Sequence, residues 1–119
     1  MAGIMEMAKD LGNALARTDE YQVLKGAVGA ADDDRDIAEL RSTLEGLEGR
    51  IATALRGGEE PPKDVAEEYE AAVSKLQANS NYQRLVAAQA NFDKVVQKVN
   101  ETIAVGLQEG ADSRIILAQ

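Results

Sequence analysis

The stretch of this 119-residue chain richest in ligand-type atoms is "AADDDRD", residues 30–36, with four carboxylates inside five positions. Such a run could hold a divalent cation. A calcium loop, however, needs oxygen ligands at alternating positions, Gly at the sixth and Glu at the twelfth, and the sixth residue counted from Asp32 is Ile37. The run reads instead as a cap and loop. One aspartate accepts the first free amides of a helix, and its neighbours complement the helix dipole. "RGGEEPPKD", residues 56–64, has glycines and a lysine but no preceding strand and no Gly-Lys-Ser/Thr order, so it is a turn and not a phosphate cradle. The chain has no His and no Cys. That removes the commonest general base, the Glu-x-x-His ligands of di-metal bundles, thiolate sites and disulfides. Carboxylate pairs remain, but most acids fall on outward helix faces, where a solvated surface is their ordinary role. The reading is no catalytic residue, no cofactor and no metal.

Bulk properties narrow the class. A chain of this length forms one domain that buries roughly two-thirds of its unfolded surface. Only one Phe, three Tyr and no Trp are present, so the interior must come from Leu, Val, Ile and Ala. That favours closely approaching helices. The net charge of −8 repels phosphate backbones and anionic lipid, which places direct nucleic-acid binding at a disadvantage. It also suits a protein solvated in high salt; equal melting in low and multimolar KCl would contradict that. The start "MAGIMEMAKD" lacks the unbroken apolar stretch of a signal peptide. No run approaches the roughly 20 apolar residues of a membrane span. The expectation is a cytoplasmic protein.

Apolar residues recur at helical, not alternating, spacing. Ile4, Met7, Leu11 and Leu15 form the stripe of a first helix over about 2–16. Thr18 caps a second, with Tyr21, Leu24 and Val28 as its buried side; Gly26 and Gly29 weaken it by about 1 kcal/mol each. Ile37, Leu40, Leu44, Leu47 and Ile51 follow the 3-4-3-4 spacing of a helix packed nearly parallel to another. Gly46 and Gly49, just off that seam, either admit a neighbouring backbone or mark a soft turn. Pro62 opens a fourth helix with the stripe Val65, Tyr69, Ala72, Val73 and Leu76. Ser80 and Gln83 have capping-box spacing at the start of a fifth, which runs to about Gln108 before Gly110 ends it. The tail, "SRIILAQ", reads as a loose end, a strap or a short interface segment. The fold expected is all-α: an antiparallel helical bundle or hairpin of four to five helices with a long C-terminal helix, one domain over 1–119 with its core in 2–108 and a tail at 109–119.

That last helix sets the functional question. About 28 residues span about 42 Å, whereas a compact globule of this length has a radius of gyration near 14 Å. Its apolar seam must bury against something, and a second subunit is the natural cover. The seam reads Tyr82, Leu85, Gln89, Phe92, Val96, Val99 and Ile103, with a second amide, Asn100, beside it. Amides at a helix interface cost stability unless paired, yet they fix register and partner choice. Either the helix rotates so that Ala88 and Val99 point inward and the amides meet solvent, or the amides pair across an interface.

The fifth helix and its approach, "NSNYQRLVAAQANFDKVVQKVNETI", resemble the C-terminal signature of the YlbF/YmcA family of small helical regulators: an initiating Asn (Asn79), an Ala-Gln pair (Ala88-Gln89) and a Val-Asn pair (Val99-Asn100). "TDEYQVLKGA" is similar to that family's Ser/Thr-x-Glu-Tyr helix start, and the likeness spans about 10–108. The resemblance implies an all-α protein without catalytic activity that works by association. Family members join one another and the protein YaaT in a complex that affects competence, sporulation and biofilm formation and is linked to RNA processing by RNase Y. Members reported to hold iron–sulfur clusters do so through cysteines; this chain has none, so no cluster of its own is expected. The resemblance tips the amides towards helix pairing. The expected function is a non-enzymatic regulator or adaptor, a homodimer or higher homo-oligomer open to heteromeric complexes with relatives or another regulatory protein. Its interface is Tyr82, Leu85, Gln89, Phe92, Val96, Val99, Asn100 and Ile103. The alternative is an RNA-associated factor that touches nucleic acid directly.

Overall fold

A computed structural model describes the backbone of residues 3–118 and the side chains of residues 3–111. Among these every regular element is a helix: α1 (Ile4–Ala16), α2 (Asp19–Asp32), α3 (Arg35–Arg56), α4 (Lys63–Ala78) and α5 (Ser80–Ala118). The helix starts are locally encoded. Thr18 Oγ1 accepts the Tyr21 amide at 3.1 Å while donating to the Leu15 carbonyl, so one hydroxyl closes α1 and opens α2. Asp34 is the aspartate that caps α3, through the Ile37 amide at 3.1 Å. Pro62 stands one place outside α4, as its N-cap.

The α3–α4 turn needs its second glycine. Gly58 has φ +73°, a region that L side chains avoid. It lets the Glu59 amide reach the Ala54 carbonyl at 3.0 Å and the Gly58 amide reach Leu55 at 3.1 Å, the two bonds of a Schellman ending. Gly46 and Gly49 do neither thing expected of them. The helix passes through both unbroken, and a Cβ built on either would meet nothing within 4 Å. With open space and ordinary helical φ, Gly46→Ala and Gly49→Ala should each raise stability by about 1 kcal/mol, read as a higher urea midpoint at unchanged slope.

The helices form two packed pairs. α2 lies on the first half of α5, and α3 on α4. Along the first pair, Leu24 and Ala27 meet Ala88, Leu85 and Phe92, while Tyr21 sets its ring edge-on to Phe92 at 5.3 Å. Alanine makes this closeness workable: Ala27, Ala31, Ala72 and Ala88 are all buried. The inward side of α2 is therefore Leu24, Ala27 and Ala31, and not the expected Val28, which is 40% exposed. The pairs join where Ala31, Ile37 and Leu76 bury one another, flanked by Leu40, Leu44, Tyr82 and Leu85. Ile37 and Val65 are the largest fully buried side chains.

One expectation fails at the C-terminal end. Gly110 does not stop α5, whose 39 residues continue to Ala118. One glycine costs a helix only about 1 kcal/mol, and no proline follows to enforce a stop. Whether Ile115, Ile116 and Leu117 make a strap or an interface segment, two of the three readings of the tail, falls outside the residues whose side chains are described. The first helix has the expected apolar stripe, but buries none of it: Ile4 is 78% exposed and Met7 58%. The result is a rod with a side arm. Its radius of gyration is 22.2 Å and its long dimension 70 Å, far beyond the roughly 14 Å radius of a compact chain.

Candidate functional site

The candidate site is the surface of α5 together with the elbow from which α5 starts. The chain crosses between rod and arm twice, at Asp33–Asp34 and at Asn79, and one carboxylate ties the crossings together. Asp34 Oδ1 caps α3, while Oδ2 accepts Asn81 Nδ2 at 2.9 Å and Asn79 Nδ2 at 3.2 Å. Asn79 turns its own Oδ1 to the Tyr82 amide at 3.0 Å and so caps α5. The expected box of Ser80 and Gln83 does not form; the Gln83 side chain donates to the Gln77 carbonyl instead. An Asn one residue earlier has the same reach as Ser and a second polar atom for Asp34.

These bonds favour the charged form of Asp34. The Asn81 amide, then the Ile37 backbone amide and the Asn79 amide, hold its carboxyl below the ordinary 3.8, against a small opposing effect of burial. A folded-state value below the unfolded one means that the tie contributes fully at neutral pH and is lost as pH falls through the lowered value. Asp34→Ala should therefore lower the melting temperature at pH 7. The gap to the parent protein should narrow below about pH 4, as the parent's carboxyl also loses its charge.

Beyond the elbow, α5 presents two seams. The inner one, facing α2, holds Leu85, Ala88 and Phe92. Further along, Val99 shares a shallow cleft with Leu11 of α1 and Ile103. Ala88 is 3% exposed, and it takes the inward place that the simple heptad reading gave to Gln89. Gln89 and Asn100 both lie exposed in the single chain, and Gln89 Nε2 donates to Asp93 Oδ1 of its own helix at 2.9 Å. Of the eight expected interface residues, Leu85 and Phe92 pack on the chain's own α2. Tyr82, Val96 and Val99 are half-buried, and Ile103 stands 54% exposed.

Three apolar side chains that the periodicity did not single out stand out on the same helix: Val86 (52%), Val105 (56%) and Leu107 (75%). Val86 lies in a hollow of about 660 Å³ at the elbow. Val28, Leu76, Tyr82 and Leu85 line it together with the charged Asp32, Arg41 and Asp93. Among the described residues there is one ion pair, Lys63–Glu67 at 4.0 Å on the surface of α4, and no group of acids, His or Cys placed to hold a metal. The chemistry on offer is helix-to-helix contact.

The family model described as "Control of competence regulator ComK, YlbF/YmcA" matches residues 4–108. The chain belongs to the YlbF/YmcA family. The match covers all of α1 to α4 and α5 as far as Gln108, so it takes in the elbow and both seams. Curated relatives include UPF0342 proteins of staphylococci and bacilli. That of Staphylococcus saprophyticus is 24% identical over 89% of this chain and 93% of its own length. Those of Staphylococcus haemolyticus and Bacillus cytotoxicus are 26% and 22% identical over similar shares. No solved structure matches. A YlbF/YmcA protein is described by the control of a regulator and not by a reaction, which fits an all-helical chain and a regulatory role. Among the described residues no helix is long and apolar enough to cross a membrane.

Proposed function

We propose that this YlbF/YmcA protein is a non-enzymatic cytoplasmic regulator that acts by being held by other proteins, a second copy of itself first among them. One observation carries the reading. α5 extends far beyond the helix that covers it, and on that overhang Ile103, Val105 and Leu107 are exposed, as Val86 is nearer the elbow. Single exposed aliphatics need no explanation, but a group of them on the uncovered length of one helix marks an interaction surface. The family's connection with competence control supports a role inside a regulatory assembly. By the same resemblance, that assembly bears on RNA processing and developmental pathways, with relatives or another regulatory protein as heteromeric partners. Direct RNA contact is the weaker alternative, since a net charge of −8 opposes it.

Light scattering on the purified chain at tens of micromolar should give at least twice the monomer mass. A tagged copy in the native host should enrich defined protein partners, identified by mass spectrometry. A monomer throughout that range, with no enriched partner, would end the proposal. Steeply salt-dependent binding to RNA would move it to the alternative.

A further inference from the structure

The exposed seam of α5 has a two-fold pattern in its residue types. Starting at Tyr82, the residues on that face are spaced 4-3-4-3-4-3-4 and end at Leu107. This is the a/d pattern of a coiled coil, and it reads the same in both directions. Folded about its midpoint, between Lys94 and Val95, it matches Tyr82 with Leu107, Val86 with Ile103, Gln89 with Asn100 and Asp93 with Val96. Apolar meets apolar at both ends, amide meets amide further in, and at the centre Asp93 of each copy lies beside Val96 of the other, a charge that the pair must keep in contact with solvent. A heptad seam of this kind suits one occupant, the same seam running the other way.

We infer that two copies of this chain pair through the exposed seams of their α5 helices, antiparallel and in the register that sets Gln89 of each against Asn100 of the other. The inference rests on the self-association proposed above and specifies its surface. Three further features of the molecule support it. First, the two ends of the seam differ in cover. Val86 lies in a hollow at the elbow, while Leu107 is 75% exposed and Ile103, which shares a cleft with Leu11, is 54% exposed. Antiparallel pairing seats the bare end of each copy in the hollow of the other, twice over, as a closed two-fold interface requires.

Second, the flank of the seam away from α2 carries Gln83, Ala90, Gln97 and Ala104. In a chain with 21 acidic residues this flank presents no charge to repel an identical copy, and its alanines allow close approach. Third, the amide chemistry balances. Gln89 Nε2 is used by Asp93, which leaves Oε1 to accept from Nδ2 of Asn100 in the second copy. Slipping the register by one heptad sets Asn100 against Tyr82 and Gln89 against Asp93, and the amide pairing is lost. Specifying register is the best-attested use of polar residues in such a seam.

The chain has no cysteine, so introduced thiols report contacts without background. Val86 and Ile103 of one copy are about 26 Å apart along the helix, far beyond the roughly 7 Å Cα separation that a disulfide tolerates. A bond between them must be intermolecular. Under mild oxidation the full-length double variant Val86→Cys/Ile103→Cys should convert almost wholly to a linked dimer. Val86→Cys alone, which links only in a parallel pair, should stay at background. Val86→Cys/Val96→Cys, which joins its two altered positions in a pair slipped by one heptad, should link no more than Val96→Cys alone, whose two copies lie near the axis. Both altered sites of the reporting pair are exposed, and circular dichroism confirms that each variant folds. A dimer by light scattering that links through either control beyond these levels overturns the inferred register and leaves self-association standing. A dimer that links in none of the variants overturns the seam itself. A monomer overturns both. Gln89→Leu/Asn100→Leu in the cysteine backgrounds adds a second reading. Dimer mass should persist while links spread to the slipped pair, and retention of the single register would show that the amides do not set it.

Discussion

Ile103→Glu yields a protein that keeps its helical content and loses its self-association. Ile103 is 54% exposed in the single chain, so the substitution leaves the fold's own core intact. In the antiparallel pair the same position sits against Val86 of the other copy, and the two-fold axis places two carboxylates in apolar contacts. Burying an unpaired charge costs several kcal/mol, and it occurs twice. The dissociation constant should rise by at least about a thousandfold, read by sedimentation equilibrium as a monomer where the parent is a dimer. Co-purification of partners that bind the dimer should fall with it. The central Asp93 adds a salt signature, because two like charges approach near the axis and added KCl screens them. Association of the parent should tighten as KCl rises, whereas an interface held by opposite charges would loosen.

Ile37→Ala should be the most damaging change to the fold. Ile37 is fully buried at the joint of rod and arm, against Ala31 and Leu76, with Leu40, Leu44, Tyr82 and Leu85 around it. Truncating a buried isoleucine costs about 2–5 kcal/mol, a large part of the 5–15 kcal/mol that holds an ordinary domain together. The upper end applies if the joint cannot collapse around the void. Chemical denaturation should show the midpoint falling accordingly. The joint also frames the hollow around Val86. A variant that still folds should therefore pair less tightly, though no residue of the paired seam has been altered. Comparable truncation at Leu55, which is 62% exposed at the far end of the arm, should cost little in either measurement.

Much of this was legible along the chain, for local reasons. The all-α class, four to five helices and the Thr18 cap follow from spacing and from side-chain atoms that reach amides three residues on. So does an aspartate cap before Ile37. The misses are of two kinds. Ser80 and Gly110 fit standard start and stop signals, but a better cap stood one residue earlier at Asn79, and a lone glycine with no proline after it is too weak to end a helix. The other kind concerns the faces of helices. A helix as apolar as α5 offers two neighbouring heptad seams, and periodicity alone does not say which one its own chain covers. The eight expected interface residues were drawn from both.

Sequence alone determined that this protein is helical, acidic, without metal-binding thiols or imidazoles, a YlbF/YmcA relative, and in possession of a terminal helix too long for its own core. Those properties depend on residue types and on neighbours within a few positions. Only the tertiary structure decided that α2 takes the seam of Leu85, Ala88 and Phe92, where alanines let two backbones close up. That choice turned Gln89 and Asn100 outward onto a seam with two-fold symmetry. It also decided that Asp34 joins residues 45 and 47 positions away. The physical reason is the same in each case: burial and hydrogen bonding between distant segments select one among several faces that local propensity leaves equivalent.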